Sequence, residues 1–297
     1  MGMQNTERSL HHLEKIVAIA ALAAVLALAI GFAQAAEPRK PAGKSDQVFL
    51  RSSVALVQDA ASGETLYEKN QDAVTPIASI TKLMTAIVIL DAGLNLEQRV
   101  AISDEDYDQV KGTRSRLRPG TVLTRDELLL LALMSSENRA AASLGRTYPG
   151  GSEAFVAAMN ARAQALGMND TRFVDPTGLS SANVSTAHDL ARLVAAAHQY
   201  SLIRQYSTRE SATVQAFGRP LGYRNTNGLV RNAHWEIGLS KTGYISEAGR
   251  CLVMRVRMAS REVIVVLLDS WGKLSRVGDA NRIKKWLETN AAKGLRG

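Results

Sequence analysis

Cysteine is nearly absent from this chain of 297 residues, in which Cys251 is the single example. No disulfide can therefore form within one molecule, and a domain of this size does not need one for stability. Cys251 lies in an apolar, strand-like run, so we interpret it as a small buried side chain and not as a nucleophile.

Aromatic residues are also scarce, at 5% of the chain, although the formal net charge is +8. No basic run is interleaved with aromatic residues, so the composition argues against nucleic acid as a partner. A basic protein of this kind suits an anionic polymer or a membrane surface outside the cytoplasm, and peripheral membrane association is one expectation that follows.

Two common hydrolase patterns are missing as well. The five histidines do not show the H-E-x-x-H spacing of zinc peptidases, and no G-x-S-x-G sequence marks the nucleophile of a Ser-His-Asp hydrolase. We therefore expect no metal site of the zinc-peptidase kind and no Ser-His-Asp hydrolase.

The N-terminal segment carries an export pattern. Basic residues precede an apolar run at 16–32, which ends in the small-x-small sequence A-Q-A. This order predicts a secretory signal peptide at 1–35, followed by a polar linker at 36–47. The length of the apolar run leaves an uncleaved membrane anchor as the alternative.

The predicted secondary structure of the remaining chain changes twice, from strands to helices and back to strands. Two strand-like runs form a predicted hairpin, helical patterns fill most of 79–199, and three strand-like runs follow Trp235 before a last helical pattern at 278–290. The simplest arrangement is an α+β sandwich, in which one antiparallel sheet built from both chain ends is covered by helices, with a helical lobe inserted between them. We expect this domain to cover 48–290, with a tail at 291–297.

Ser79 and Lys82 interrupt the apolar run "PIASITKLMTAIVIL" three residues apart. On a helix this spacing places both side chains on one face, and at a helix start the serine lies near unpaired backbone N–H groups. Burial would lower the pKa of the lysine, and a neutral amine can take the proton of a serine hydroxyl. The spacing recurs at Ser270 and Lys273, but that pair leaves a strand and encloses Gly272, so it is not expected to share a helical turn.

Ser136, Glu137 and Asn138 lie between two helical patterns and are predicted to project from a short loop. A hydroxyl there can relay a proton, and a side-chain amide can bind a peptide carbonyl. The same S-x-N pattern occurs at Ser181 and Asn183, and helix capping is an ordinary alternative for both.

Lys241, Thr242 and Gly243 form the third element, followed by Tyr244 on a predicted strand. A strand glycine permits close approach of another backbone, and an extended substrate could pair with this strand edge. Lys241 and Thr242 would then meet a carboxylate or assist proton transfer, with the N–H of Tyr244 directed at the reacting carbonyl.

In this order, S-x-x-K, S-x-N and K-T-G resemble the motif set of penicillin-binding proteins and class A β-lactamases. The segments "FVDPTGLSSANVSTAHDLARL" and "KTGYISEAGRCLVM" are similar to the D-alanyl-D-alanine carboxypeptidase/endopeptidase family, the low-molecular-mass penicillin-binding proteins, and the resemblance covers 48–288. "LMSSENRAAASL" and "GYISEAGRCL" most resemble its endopeptidase branch, which cuts D-alanyl cross-links in peptidoglycan. The chain also ends soon after its last predicted strand, whereas the family's main carboxypeptidases carry an extra C-terminal domain. Glu137 stands where the S-D-N form of the motif has aspartate.

The resemblance implies a periplasmic serine DD-peptidase with the β-lactamase/transpeptidase-like fold and no cofactor. Ser79 would be the nucleophile that forms an acyl-enzyme, and Lys82 the base for acylation. Ser136 would pass a proton to the leaving amine, with electrostatic support from Lys241. Peptidoglycan stem peptides would be the substrate, and β-lactams would inhibit by trapping Ser79.

The remaining motif residues are implied to bind substrate. Asn138 would hold the substrate amide, and Thr242 would contact the substrate carboxylate beside Lys241 and Gly243. The backbone N–H of Tyr244 would complete an oxyanion hole with that of the nucleophile.

Three alternatives remain open at this point. The close one is a D-alanyl-D-alanine carboxypeptidase, because the two activities differ only in which amine leaves. A class A-like β-lactamase is disfavoured because no E-x-x-L-N sequence lies between the second and third motifs. A non-catalytic peptidoglycan-binding regulator is disfavoured because all three motifs are intact.

Overall fold

The computed structural model describes residues 48–294. The predicted signal peptide at 1–35, the linker at 36–47 and the last three residues of the predicted tail lie outside the described residues. The strands are β1 Ser52–Asp59, β2 Thr65–Lys69, β3 Thr75–Pro76, β4 Arg99–Ala101, β5 Val122–Thr124, β6 Val184–Ser185, β7 Ser211–Ala216, β8 Arg219–Arg224, β9 Glu236–Ile245, β10 Gly249–Met258 and β11 Arg261–Ser270. The α-helices are α1 Lys82–Asp91, α2 Arg125–Met134, α3 Asn138–Arg146, α4 Gly151–Ala165, α5 Ala187–Ala197, α6 Ser201–Thr208 and α7 Ser275–Gly294. Short 3-10 helices cover Ala78–Thr81, Asp104–Asp106 and Gly228–Arg231.

Both ends of the described chain build one sheet. Its order is β2-β1-β11-β10-β9, and every neighbouring pair is antiparallel. The first strand of the domain therefore pairs with the last, with Leu56 opposite Val266. This confirms the predicted α+β sandwich with a helical lobe inserted between the two groups of strands, and it places β9 at an edge of the sheet.

The two faces of the sheet bury different residues because strand side chains alternate. Leu56 and Val266 belong to the large core that the sheet shares with the helical lobe. Their neighbours Val57 and Val265 point the other way and pack in a second core with the C-terminal helix α7. The sheet is therefore the middle layer of three.

Helix α1 lies at the centre of the lobe. Eight of its ten residues are buried, and it carries no charged residue between Lys82 and Asp91. A helix that is apolar all round belongs inside a domain, so α1 is held by its neighbours on every side. Helix α2 begins at Arg125, after the N-cap residue Thr124, whose hydroxyl accepts a hydrogen bond from the N–H of Glu127 in a capping box.

Several short elements between 199 and 235 were not predicted. Helix α6 and the hairpin β7–β8 fill this region. The residues of β7, SATVQA, alternate between exposed and buried but are weakly apolar, which explains the missing strand signal. Phe217 and Gly218 form the two-residue turn with positive φ of 51° and 71°, a geometry in which phenylalanine is unusual.

No helix among residues 48–294 combines the length and the apolar character needed to cross a membrane.

Candidate active site

Ser79 lies in the 3-10 turn Ala78–Thr81, which leads directly into α1 at Lys82. Side chains three residues apart nearly eclipse each other in a 3-10 turn, so this local geometry brings the two together. The Oγ of Ser79 and the Nζ of Lys82 are 2.8 Å apart.

The Lys82 side chain is completely buried, and its amine contacts three oxygen atoms. These are the Ser79 hydroxyl, the Oδ1 of Asn138 at 2.7 Å and the carbonyl of Thr177 at 2.6 Å. A neutral amine has two N–H donors and one lone pair, whereas an ammonium has three donors. In the neutral form Asn138 and Thr177 take the two N–H bonds, and the lone pair faces the serine hydroxyl.

Burial lowers the pKa of Lys82 to about 7, even though the charges of Asp175, Glu137 and Asp108 act in the opposite direction. Burial also holds the pKa of Lys241 well below its ordinary value, and the nearby positive charges of Lys82 and Arg276 add to this effect. Two buried amines in one site disfavour each other's protonation, so a neutral base is available near pH 7.

Ser136 lies between α2 and α3 with a positive φ of 58°. Its Oγ accepts a hydrogen bond of 2.9 Å from the Nζ of Lys241. Asn138 is the first residue of α3, and its Nδ2 donates to the Thr113 hydroxyl at 3.0 Å while its Oδ1 accepts from Lys82. The carboxylate of Glu137 caps the N-terminus of α3 by accepting from Arg139 N–H, which gives this middle position a structural role.

Lys241, Thr242, Gly243 and Tyr244 lie on β9, whose outer edge faces away from β10. Lys241 is 1% exposed, and the hydroxyl of Thr242 shares a 2.7 Å hydrogen bond with that of Thr226. Tyr244 is 57% exposed at the same edge. An unpaired strand edge next to two serine–lysine pairs can receive an extended peptide as an added strand.

Two glycines allow the serine turn to fit into the site. A Cβ on Gly243 would lie 2.9 Å from the carbonyl oxygen of Ile77 and 3.1 Å from the backbone nitrogen of Ser79. A Cβ on Gly178, which has a φ of +79°, would overlap the carbonyl oxygen of Ala78 at 2.0 Å. The backbone that approaches Gly243 is thus that of the protein's own turn around Ser79.

The loop that supplies the Thr177 carbonyl was not identified as part of the site from sequence. The carboxylate of Asp175 organises it by accepting hydrogen bonds from the N–H groups of Thr177, Gly178 and Ser180. The buried amide of Asn183 then holds Asp175 at 2.7 Å and accepts the N–H of residue 174. The second S-x-N pattern, at Ser181 and Asn183, therefore supports this loop and caps no helix. The sequence D-P-T-G is the feature from which the loop could have been recognised.

Arg276 is a second residue that sequence reasoning missed. It lies in the first turn of α7, and its Nη1 donates to the carbonyls of Gly243 at 2.9 Å and Cys251 at 3.1 Å. Burial and the neighbouring charge of Arg250 lower the pKa of Arg276. No local motif marks this position, because its role follows from the packing of α7 beside β9 and β10.

The second S-x-x-K pair is not part of the site. Ser270 ends β11 as a buried residue, whereas Lys273 follows a turn at Gly272 with φ of +82° and is exposed. Cys251 is buried in β10, as expected, and burial raises the pKa of its thiol to about 11. Within residues 48–294, no group of three or more His, Cys, Asp or Glu side chains is arranged to hold a metal ion.

Comparison with known proteins gives a consistent result. The sequence model of the family described as D-alanyl-D-alanine carboxypeptidase matches residues 41–272. The D-alanyl-D-alanine endopeptidase of Pseudomonas aeruginosa is 52% identical over 267 residues, which cover 89% of this chain and 86% of the relative. The D-alanyl-D-alanine endopeptidase of Escherichia coli is 47% identical over 268 residues, with the same coverage of both chains.

Solved structures agree at the level of the fold. The DD-transpeptidase of Streptomyces K15 superposes with a TM-score of 0.74 at 28% identity, covering 80% of this chain and 97% of that chain. A D-alanyl-D-alanine carboxypeptidase from Mycobacterium tuberculosis superposes with a TM-score of 0.75 at 27% identity, covering 84% and 95%.

Proposed function

This chain belongs to the D-alanyl-D-alanine carboxypeptidase family, and from that membership we propose that it is a serine DD-endopeptidase cutting D-alanyl cross-links in peptidoglycan. Serine DD-peptidase activity follows from the family and from the two endopeptidases that share about half of its residues. The observation that carries the chemistry is the buried Lys82 amine, 2.8 Å from the Ser79 hydroxyl.

Acylation uses Ser79 and Lys82. The neutral Lys82 amine takes the hydroxyl proton while Ser79 Oγ forms a bond to the D-alanyl carbonyl carbon. The carbonyl electrons move to the oxygen, and the backbone N–H groups of Ser79 and Tyr244 stabilise the resulting oxyanion. Gly243 keeps these two backbone segments close together.

Collapse of this intermediate releases the amine. The electrons return to the carbonyl, the C–N bond breaks, and Ser136 gives its proton to the leaving nitrogen while the Lys241 amine, 2.9 Å away, supports the hydroxyl. The proton that Lys82 took from Ser79 then passes to Ser136, which leaves the Lys82 amine neutral again. Water attacks the acyl carbonyl with Lys82 as the base, the bond to Ser79 Oγ breaks, and Lys82 returns this proton to Ser79 while the product acid leaves and loses its own proton to solvent. In this proposal Asn138 holds the substrate amide and Thr242 its carboxylate.

A carboxypeptidase reaction would use the same steps with free D-alanine as the leaving amine, and it is the second candidate. A class A-like β-lactamase needs a carboxylate free to activate water for deacylation. Asp175, the carboxylate with the largest effect on the pKa of Lys82, is occupied by three backbone N–H groups and by Asn183.

The cellular setting is also part of the proposal. A catalytic domain at 48–290, preceded by an export signal at 1–35, would bring the enzyme to peptidoglycan in the periplasm. The family acts on D-alanyl peptides of the bacterial cell wall, and β-lactams are expected to acylate Ser79.

Mass spectrometry of the purified domain before and after penicillin treatment tests the catalytic assignment. We expect a penicilloyl adduct on Ser79, retained in the control Ser201→Ala at the exposed start of α6 and absent from Ser79→Ala. A penicilloyl adduct that still forms in Ser79→Ala would refute the assignment of Ser79 as the nucleophile. Digestion of cross-linked muropeptide dimers then tests the endopeptidase assignment, and release of free D-alanine alone would favour the carboxypeptidase.

A further inference from the structure

A concave surface of about 640 Å³ lies between the loop at 107–121, which contributes residues 115–119, and the tip of the β7–β8 hairpin. Arg116, Arg118 and Arg219 line it together with Phe217, whose side chain is 64% exposed. We call these four residues the arginine groove.

The charge of the arginine groove is unbalanced. Within residues 48–294, none of its three arginines lies within salt-bridge distance of a carboxylate. All three arginines are exposed, and the guanidinium of Arg116 stacks over the Tyr223 ring at 4.0 Å. Arginines of this kind bind carboxylates through paired N–H groups, so the groove is complementary to an anion with an apolar part.

The groove is attached directly to the second catalytic motif. The Nη1 of Arg139 donates to the carbonyl of Leu117 at 2.6 Å, and Asn138 donates to Thr113 in the same loop. The loop that forms one wall of the groove is therefore held by the residues that follow Ser136. Two hydrogen bonds thus connect the groove wall to the segment that carries Ser136.

The same loop also defines which end of the cleft the groove occupies. At its other end Lys111 pairs with Glu247 in the β9–β10 turn, which lies beyond Tyr244. An acyl chain that pairs with β9 after Gly243 runs toward this ion pair. Among the described salt bridges, this is the one that joins the helical lobe to the sheet across the cleft.

The arginine groove lies at the opposite end. Tyr223, under Arg116, is followed three residues later by Thr226, which hydrogen bonds to Thr242 and to the carbonyl of Met134. This chain segment connects the groove to the Lys241 side of the scissile bond. If Ser136 protonates the leaving amine, this connection gives the rest of that peptide a path toward the arginines.

We propose that the arginine groove binds the carboxylate-bearing peptide attached to the leaving amine of a cross-linked substrate. This inference rests on the endopeptidase assignment and deepens it. Free D-alanine, the leaving group of a carboxypeptidase, ends at its own carboxylate beside Thr242 and does not extend into the groove. An acidic peptide leaving group does extend, so the groove favours cross-link cleavage over release of single residues.

The test compares three activities in charge-neutralised variants of the mature protein. Arg118→Gln/Arg219→Gln removes two exposed groove charges and leaves Arg116 on its tyrosine. Lys273→Gln/Lys285→Gln is the matched control, because it removes two exposed lysines that have no carboxylate partner elsewhere in the described chain. The assays are kcat/KM for a cross-linked muropeptide dimer, kcat/KM for D-alanine release from a monomeric pentapeptide, and the penicillin acylation rate.

We expect the groove variant to lose about tenfold in kcat/KM for the dimer, mainly through KM, because two exposed charge contacts are removed. Its pentapeptide and penicillin rates should stay within about twofold, and the control variant should match the wild type in all three assays. Added salt should reduce the wild-type advantage on the dimer, because exposed charges are screened. Equilibrium binding of the dimer to Ser79→Ala, with and without the groove substitutions, repeats the comparison without turnover.

A dimer rate that falls no further in the groove variant than in the control overturns the proposal. An equal fall in all three activities also overturns it, since that result indicates general damage to the site. A wild-type protein that is acylated by penicillin but does not cut dimers contradicts the endopeptidase assignment itself. If the wild type cuts dimers and the groove variant cuts them equally well, the result contradicts the proposed role of the groove and leaves the endopeptidase assignment intact.

Discussion

Gly243→Ala is the substitution that most directly probes how the site is assembled. Gly243 lies on β9, where the strand passes the serine turn without a side chain between them. An alanine Cβ would lie 2.9 Å from the carbonyl oxygen of Ile77, 3.0 Å from the Cβ of Ala78 and 3.1 Å from the nitrogen of Ser79. Two of these three atoms belong to the backbone, so rotation of a side chain does not relieve the contact.

The size of the effect follows from these distances. Carbon atoms pack best at about 3.5–4.0 Å, so strand and turn must separate by about 0.5 Å. Overpacking of this kind costs about 1–3 kcal/mol of stability. The separation moves the N–H groups of Ser79 and Tyr244 apart, and misplacement by about 1 Å costs about 100-fold in rate. We therefore expect penicillin acylation to slow by about 10- to 100-fold while the protein remains folded.

The assay is the second-order rate of acylation by a fluorescent penicillin, with the unfolding midpoint measured in parallel. Gly238→Ala is the matched control, because Gly238 lies on the same strand but its Cβ would meet the ring of His198 at 3.1 Å, and a ring can move. Acylation of Gly243→Ala within about threefold of the wild-type rate would refute the reasoning, since the oxyanion hole would then tolerate the separation. If Gly238→Ala slows acylation by the same factor, the effect comes from a general disturbance of β9 and not from the contact at Gly243.

Three further outcomes are expected. Lys82 can act as a base only when it is neutral, and its pKa is lowered to about 7. The acylation rate should therefore rise about tenfold per pH unit below pH 7 and level off above it. A flat pH profile from 5 to 9 would contradict the role of Lys82 as the base. Asn183→Ala leaves Asp175 and a backbone N–H without their partner, so we expect about 2–4 kcal/mol of destabilisation by urea unfolding together with slower acylation, and a normal acylation rate would separate this loop from catalysis. Thr124→Ala removes the hydroxyl that caps α2 and should cost about 1 kcal/mol in the same unfolding assay with acylation unchanged, whereas an unchanged stability would show that Glu127 alone suffices.

The long elements of the fold could be predicted because their burial requires apolar residues in the sequence. The continuous apolar runs in β1, β10 and β11 indicate strands that are buried on both faces, and the apolar content of α1 indicates a helix enclosed by other elements. The strand β7 and the two-residue strands β3 and β6 have no such apolar pattern in the sequence. Their position depends on contacts with distant chain segments, so tertiary structure determines them more than local preference does.

The site divides in the same way. Side chains that meet because of a fixed spacing, such as those of Ser79 and Lys82, could be identified from sequence. Thr177 acts through its backbone carbonyl, which any residue type provides, so no side-chain pattern reveals it. Arg276 reaches Gly243 from a helix 33 positions later in the chain, and that proximity exists only in the folded sheet.

The S-x-x-K spacing also carries more geometric information than a helical periodicity alone would suggest. In an α-helix, residues three apart are offset by about 60° around the axis, whereas in a 3-10 turn they eclipse. Ser79 lies inside the 3-10 turn, and Lys82 is the residue at which the α-helix takes over. The lysine amine thus stacks on the serine hydroxyl, while the rest of its helix continues into the core and keeps the amine away from water. The tight turn requires a close approach at Gly178 and Gly243, so the two glycines and the spacing act together: they allow a shortened turn that places a buried amine against the Ser79 hydroxyl.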